Sequence, residues 1–379
     1  MTMVILFWSA LAFVVYTLVG YPTLLWLVSL VRRRTDQQGD IEPTVSVIIV
    51  GHNEASTIAD KIKNTLAFDY PKEKLEIVVG SDGSTDATVA IVRSFAGQGV
   101  KLLESVERRG KHYMQMAARD VARGEILVFT DASILVEPQV LRRMVSHFAD
   151  SSVGAVSSVD QLLDAKKDWV GEHFYVYGEM GLRHLEARVS SLVSLSGALF
   201  SARRSLCDTW YPDQSSDFFL ALNAVACGLR AVQDSECRAR LGIVRSEKAE
   251  QSRKVRTIVH GLVVFFSHWK LVNPIRYGLF SWQLVSHKLC RWLLPFGIIA
   301  VFVSNLFLWQ VGPFYQLFLI LQLLGYGVGL VSYAGGGVAK SGVLRLATFF
   351  VLGNVATLVA WWKFCRGEKM VTWEPSQRG

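Results

Sequence analysis

Three apolar runs in this chain end on short polar loops of one kind. Val45-Ser46-Val47-Ile48-Ile49-Val50 runs into Gly51-His52-Asn53-Glu54. Leu75 to Val79 runs into Gly80-Ser81-Asp82-Gly83-Ser84-Thr85-Asp86, and Glu125 to Thr130 runs into Asp131-Ala132-Ser133. Near-continuous apolar runs of this length are strands covered on both faces, as in a parallel sheet between helix layers. Helical spacing fills the intervals, with Ile58, Ile62 and Leu66, then Val89 and Val92, then Val140, Met144 and Phe148. A further strand reads from Val153 to Val159. Strand, polar loop and helix in alternation make a doubly wound α/β sheet, whose ligand crevice lies at the carboxyl ends of its strands. One acidic strand end is an Asx turn or a helix cap; three point to a site.

The two ends of the chain are of another kind, and composition records it. Of 379 residues 51% are apolar, and the mean hydropathy is +0.30. Met3 to Val31 is almost uncharged and long enough to span a bilayer. No Lys or Arg precedes it and Arg32-Arg33-Arg34 follows, so it reads as a retained anchor with its N-terminus outside and the following domain in the cytosol. Lys254 to Lys270 is too short and too charged to span, and reads as an interfacial amphipathic helix. Spanning candidates follow at Leu289–Trp309, Phe314–Tyr333 and Val343–Trp362. The expected organisation is an anchor over 1–34, a cytosolic domain over 35–252 and an interfacial helix over 253–274. About three spanning helices over 275–364 and a tail over 365–379 complete it. That makes a multi-pass protein of the cell membrane.

The net charge of +8 invites a nucleic-acid partner. However, the basic residues cluster at Arg32–Arg34, Arg253–Arg256 and Lys363–Lys369, beside apolar segments, where anionic headgroups account for them. Nucleic acid is therefore not an expected partner. The five cysteines lack the paired spacing of a zinc site and read as inert thiols.

Further along, Trp169 to Arg188 reads as helical, with aromatics interleaved among Glu172, Glu179 and Glu186. Ser194 to Phe200 is small and apolar around Gly197. Asp217 opens a helix that stops at Gly228, and could be no more than that helix's N-cap. Likewise Asp131 alone could cap the helix after Pro138.

In this order the motifs resemble those of membrane-embedded bacterial family 2 glycosyltransferases, the inverting GT-A enzymes of the exopolysaccharide, hyaluronan and cellulose synthase kind. The resemblance covers Val45 to about Gly261, with a weaker echo at Val371-Thr372-Trp373-Glu374-Pro375. It implies an α/β GT-A domain, a Rossmann-like mixed sheet on the cytosolic side, flanked by transmembrane α-helices. Gly51, Asn53 and Glu54 would form the first nucleotide loop, Asp82 would contact the uracil, and Lys111 of Arg108-Arg109-Gly110-Lys111 would neutralise diphosphate charge. Asp131 would bind donor and metal at the place of the family's Asp-x-Asp motif. Ser133 stands for the second carboxylate, and the pair implies Mg²⁺ or Mn²⁺. The resemblance makes Asp217, in Ser216-Asp217-x-x-Leu220, the catalytic base, and gives Glu179, Gly197, Arg253 and Arg256 to the acceptor or a pyrophosphate. Lys254 and Val255 stand where processive synthases carry Arg-Trp. The missing Trp argues against that mechanism.

The implied function is transfer of a sugar from a nucleotide-diphosphate sugar, a UDP-sugar, to a membrane-held lipid-linked or polysaccharide acceptor, with a β-linkage formed. Two alternatives stand beside it. One is a processive synthase that also translocates its polymer; the other is a non-catalytic scaffold that binds nucleotide sugar or lipid.

Overall fold

Each of the three apolar runs forms a strand, and each strand ends where its polar loop begins. The computed structural model describes residues 1–162, 170–241, 247–334 and 342–370; Trp169 and the Val371–Pro375 echo lie outside them. In chain order the first elements are α1 (Thr2–Val15), α2 (Tyr21–Val31), β1 (Val45–Gly51), α3 (Ile58–Leu66), β2 (Leu75–Asp82) and α4 (Thr88–Ser94). Next come β3 (Val100–Ser105), α5 (Lys111–Val121), β4 (Ile126–Asp131), α6 (Val140–Ser146), β5 (Val153–Leu162) and α7 (Val170–Val189). β6 (Leu199–Arg203), α8 (Ser216–Ala226), β7 (Arg230–Leu241) and α9 (Glu247–Ser267) complete the central domain. The apolar end holds α10 (Pro274–Tyr277), α11 (Leu279–Leu284), α12 (Cys290–Phe307), α13 (Pro313–Ala334) and α14 (Gly342–Cys365).

The strands make one mixed sheet in the order β3-β2-β1-β4-β6-β5-β7. β1 pairs in parallel with β2 on one side and β4 on the other, whereas β6 runs antiparallel to both β4 and β5. This is the mixed sheet of the GT-A fold. The near-continuous apolar strands follow from burial on both faces. Val45, Val47 and Ile49 enter one core with Ile58 and Ile62 of α3 and Met144 of α6, and Ile48 and Val50 enter the other with Met114 of α5. β3 lies at the sheet edge and is only partly covered, so its sequence lacks the apolar run that marks its neighbours.

The second core does not stop at the domain. It continues from Phe129 and Phe200 on the sheet through Phe218 of α8 and Phe265 of α9 to Trp292 of α12. The rings of Phe218 and Phe265 meet Trp292 edge-on, at 6.1 Å and 5.8 Å. α9 therefore lies inside the protein along most of its length. Its Val255 and Val259 pack on Ala356 and Ala360 of α14, Leu262 enters the sheet-side core, and Phe266 and Trp269 remain exposed. The apolar face expected in the headgroup layer is largely covered by protein.

Among the described residues, Thr2–Val31, Leu279–Phe307 and Ala347–Cys365 are long and apolar enough to cross a membrane, and Pro313–Gly329 is a shorter apolar helix. α1 packs on α12 through Phe7, Ala10 and Val301, and α2 packs on α7 through Tyr21, Leu25, Leu182 and Val189.

The segment between α2 and β1 is fixed by a buried charge triad. His147, 3% exposed, contacts Asp36 through Nδ1 and Asp234 of β7 through Nε2 at 3.1 Å. Burial alone would lower the imidazole, but Asp234 and Asp36 outweigh it and raise it to about 9. The unfolded chain holds histidine near the usual value of about 6.5. The folded value is the higher one, so the stabilisation is complete below about pH 6.5 and fades as pH rises to about 9. His147→Gln should cost about 2–3 kcal/mol of unfolding free energy at pH 6.5. The gap to the wild-type protein, measured by denaturant titration, should close by about pH 9.5. A gap independent of pH would show that His147 acts by packing alone.

Candidate active site

Register brings the polar strand ends to one edge. Val50 of β1 lies beside Asp131 of β4, and Gly51 lies beside Ser81 of β2, so the loops after β1, β2 and β4 open side by side. Chain order reverses between β1 and β4, which is where an open α/β sheet leaves its crevice.

The first two loops are stapled to each other. Asn53, at φ 54°, accepts through Oδ1 from the Thr85 amide at 2.8 Å, and its own amide donates to Ser84 Oγ at 3.1 Å. The Glu54 amide donates to Thr88 Oγ1 at 2.8 Å, and the Ala55 amide to Asp86 Oδ2 at 3.1 Å. Gly51 is required by space: a Cβ there would sit 2.8 Å from Glu54 Cγ and 3.4 Å from the Ala132 methyl. Asp82 is fully buried and accepts from the Arg109 amide at 2.7 Å and the Gly110 amide at 2.9 Å. Its carboxylate thus fixes the turn that leads into Lys111, at the start of α5.

Lys111 forms an ion pair with Asp131, and its ammonium also lies 3.4 Å from the Gly197 carbonyl. The Asp131 amide donates to the Ala198 carbonyl at 3.3 Å. On the other side of the same segment, a Cβ on Gly197 would lie 3.5 Å from Asp217 Oδ2, and the Leu195 amide donates to the Asp217 carbonyl at 3.2 Å. One short stretch, Leu195 to Ala198, therefore joins Asp131 to Asp217. Neither aspartate is the helix cap that its position in the sequence allows. Ser215 is the N-cap of α8, with Asp217 in its first turn, and Gln139 is the N-cap of α6. Ser133 is half-buried in the turn after β4.

The electrostatics at this edge are cationic. Beneath the Asp131 turn, buried Lys61 donates to the Ile134 carbonyl at 2.6 Å. Burial pushes Lys61 down to about 7, with the Asp131 charge opposing. Burial lowers Arg256 of α9 from its usual value, and the charges of Arg253 and Arg108 lower it further. Three guanidiniums thus stand near one another beside the Gly-Lys loop. His112 of α5 hydrogen-bonds to Gln115 Oε1 at 3.2 Å, and Ser216 donates to the same oxygen at 3.0 Å. Burial, then His260 and Lys111, hold His112 well below its usual value and hence neutral.

Glu179 is held among cations of α7 and of the apolar stretch that follows α9. Its carboxylate accepts from His287 Nε2 at 3.0 Å and Arg291 at 2.7 Å, with Arg183 at 3.4 Å. Burial alone would raise it, but His287 and Arg291 hold it well below the usual carboxylate range. Among the described residues no three His, Cys, Asp or Glu side chains converge on a metal position, and Asp131 stands at the crevice edge where β4 ends. The sequence reading missed Arg108, Lys61 and His112 as members of this neighbourhood. Arg108 stands in a motif already marked; no periodicity marks the other two.

Residues 46–208 match the glycosyl transferase family 2 model. The glycosyltransferase AglE of Haloferax volcanii is 34% identical over 116 residues, which are 30% of this chain and 38% of that protein. The succinoglycan biosynthesis protein ExoO of Rhizobium meliloti is 30% identical over 166 residues, which are 44% of this chain and 46% of that one. The chain thus spans less than half the length of these curated relatives. A solved mannosyltransferase of Pyrobaculum calidifontis, in complex with GDP-Man and Mn²⁺, shares the fold. Its TM-score is 0.72 at 23% identity, over 96% of this chain and 99% of that one.

Asp82→Asn should unfold more easily, by about 2 kcal/mol, because each carboxylate oxygen accepts from one buried N–H group and the amide sets an NH2 against one of the two. It should also lower nucleotide-sugar affinity by releasing the turn before Lys111. Calorimetry of unfolding and of donor binding checks both; a variant with full stability and reduced affinity would mean that Asp82 acts on the ligand alone.

Proposed function

We propose that this chain, which carries a glycosyl transferase family 2 domain, is a membrane-anchored inverting glycosyltransferase with its catalytic domain on the cytosolic face. It moves a sugar from a nucleotide-diphosphate sugar, taken as a UDP-sugar, to a lipid-linked or polysaccharide acceptor held at the membrane, and leaves a β-glycosidic bond. The observation that carries this reading is the contact of one segment, Leu195 to Ala198, with both Asp131 and Asp217.

Inversion by direct displacement needs one carboxylate to take the proton of the attacking hydroxyl, and no covalent intermediate. Asp217 is that base. The space left by the missing Gly197 side chain lets the hydroxyl approach it. Gly51, Asn53, Glu54 and the turn held by Asp82 bind the nucleoside. As the donor enters, the Lys111 ammonium turns from Asp131 to the diphosphate, whose oxygens Arg253 and Arg256 grip with Arg108. Asp131 is a hard oxygen donor, partly exposed at the sheet edge, and with Ser133 it would hold Mg²⁺ or Mn²⁺. Such a cation, held by Asp131 and Ser133, supplies neutralisation of the leaving diphosphate when bound. Val255, at the place of the processive synthases' Trp, packs on Ala356 and Ala360 of α14, which supports single addition over processive extension.

The reading is tested by supplying the full chain in lipid vesicles with a series of nucleotide sugars, with and without Mg²⁺ or Mn²⁺, and measuring release of nucleoside diphosphate. Release that needs both an acceptor and one particular sugar bears it out; no release from any nucleotide sugar overturns it. Asp217→Asn should leave donor affinity within a factor of about two while turnover falls by roughly 10²–10⁴-fold. Equal losses in binding and turnover would instead make the defect structural. Asp131→Asn should abolish the metal dependence of donor binding, as read by titration of Mn²⁺ against bound nucleotide sugar.

A further inference from the structure

Lys288 sits in surroundings that the proposed reaction leaves unused. It lies in a π-helical turn, Val285–Leu289, of the apolar stretch that follows the catalytic domain. Its ammonium donates to Ser194 Oγ at 3.0 Å and lies 5.4 Å from the centre of the Phe218 ring. Among the described residues no carboxylate is in ion-pair contact with it. The nearby Glu179 carboxylate is taken by His287 and Arg291. A second cation lacks an acceptor altogether at one of its nitrogens. Arg183 of α7 reaches Glu179 only through Nε, at 3.4 Å, and its Nη1 is buried without a hydrogen-bond acceptor. Burial lowers this guanidinium, and the charges of Glu179, Asp160 and Asp217 together raise it above its usual value.

A buried cationic N–H without an acceptor is destabilising unless something else supplies one. The two deficits fall at an informative place. Ser194 precedes Leu195, whose amide donates to the Asp217 carbonyl, and Phe218 follows Asp217 in the chain. Lys288 thus touches Phe218, next to Asp217 in the chain, and Ser194, next to the Leu195 that bonds the Asp217 carbonyl, and it comes from the helix that carries the long apolar run, not from the donor loops. An ammionium-type donor and a planar guanidinium together match the oxygens of a phosphate.

We propose that Lys288 and Arg183 bind a phosphate group of the acceptor beside Asp217, so that the acceptor is a phosphate- or diphosphate-bearing molecule. The inference rests on the reading of Asp217 as the base of glycosyl transfer. It separates two anion positions: the donor diphosphate at Lys111, Arg108, Arg253 and Arg256, and the acceptor phosphate at Lys288 and Arg183. The phosphate comes either from a lipid-linked acceptor or from a soluble glycosyl phosphate, and the source is decided by experiment.

The test follows thermal unfolding of the full chain in a neutral detergent, with polyprenyl diphosphate, unphosphorylated polyprenol or inorganic pyrophosphate added, because a ligand of the folded state raises the midpoint. Polyprenyl diphosphate should stabilise the wild-type protein and polyprenol should not. Lys288→Gln should weaken that binding about tenfold or more, the size expected for one lost hydrogen bond to a charged group. Arg183→Lys, which keeps the charge and loses Nη1, should weaken it as well, and neither variant should change nucleotide-sugar affinity. Equal stabilisation by pyrophosphate would assign a soluble phosphate acceptor, and a preference for the lipid a membrane one. Unchanged phosphate binding in both variants, or a parallel loss of donor affinity, overturns the proposal. Should Lys288→Gln fail to fold, Ser194→Ala and Arg183→Lys carry the same comparison. Nucleotide-sugar turnover measured alongside keeps the two readings apart. Turnover without phosphate binding sinks the subsite alone, and phosphate binding without any turnover sinks the transfer reading.

Discussion

The sheet and the apolar helices share one hydrophobic core, and the rest of the molecule is arranged around that fact. Phe129 and Phe200 on adjacent antiparallel strands stack at 5.0 Å, Trp210 meets Phe129 edge-on, and the same cluster reaches Trp292 through Phe218 and Phe265. Gly261 marks how closely the layers approach, since a Cβ there would lie 2.8 Å from the Trp292 ring. A tether of flexible chain would leave the sheet domain free to turn relative to the apolar helices. A continuous core of large rings does not, and buried aromatic area of this kind is among the strongest stabilising contributions a domain has. The helix that bears Asp217 is part of that core, so the candidate base is held by the apolar helices as much as by the sheet.

The N-terminal helices enter the same arrangement through polar contacts. Two π-helical turns, Tyr16–Gly20 and Val285–Leu289, lie against each other, with the Tyr16 hydroxyl 2.6 Å from Ser286 Oγ and accepting from Trp282 Nε1 at 2.8 Å. Each π turn holds an extra residue, which shifts the side chains that follow onto a new face. Tyr21 and His287 both reach Glu186 of α7, at 2.7 Å and 2.6 Å, and His287 bridges on to Glu179. A buried carboxylate needs such partners, and Glu186 takes them from α2 and from the Val285–Leu289 turn at once. α7 is therefore positioned from both ends of the chain.

The strand-end loops are built by another device, backbone amides and short side chains that lock two loops together. Ser84, Thr85, Asp86 and Thr88 all bond to the loop Asn53–Ala55, so the residues that resemble a nucleotide-binding motif also act as the staples between loops. Rigid loops on a rigid sheet edge lower the ordering cost of binding a donor. Near them stand the cations Lys111, Arg108 and Arg256, of which Lys111 is paired with Asp131.

Much of this was legible in the amino-acid order. The runs Val45–Val50, Leu75–Val79 and Ile126–Thr130 could only be buried strands, because apolar residues on both faces of a strand need cover on both, and their polar ends had to share an edge in a parallel sheet. The resemblance to family 2 glycosyltransferases rested on the motifs around Asp82, Lys111, Asp131 and Asp217 in their order along the chain. What stayed hidden has two physical causes. Edge and antiparallel strands such as β3 and β6 are short or half-covered and carry weak periodicity, and a helix such as α9 shows the same amphipathic pattern whether lipid or protein covers it. Long-range pairing is invisible to local pattern altogether. That Asp131 meets Lys111, that Gly197 stands against Asp217, and that Lys288 in an apolar helix touches Ser194 and Phe218 depend on crossings between distant elements. The chain's order determined which groups were available at the sheet edge; only the tertiary packing of sheet on membrane-type helices decided which of them face one another.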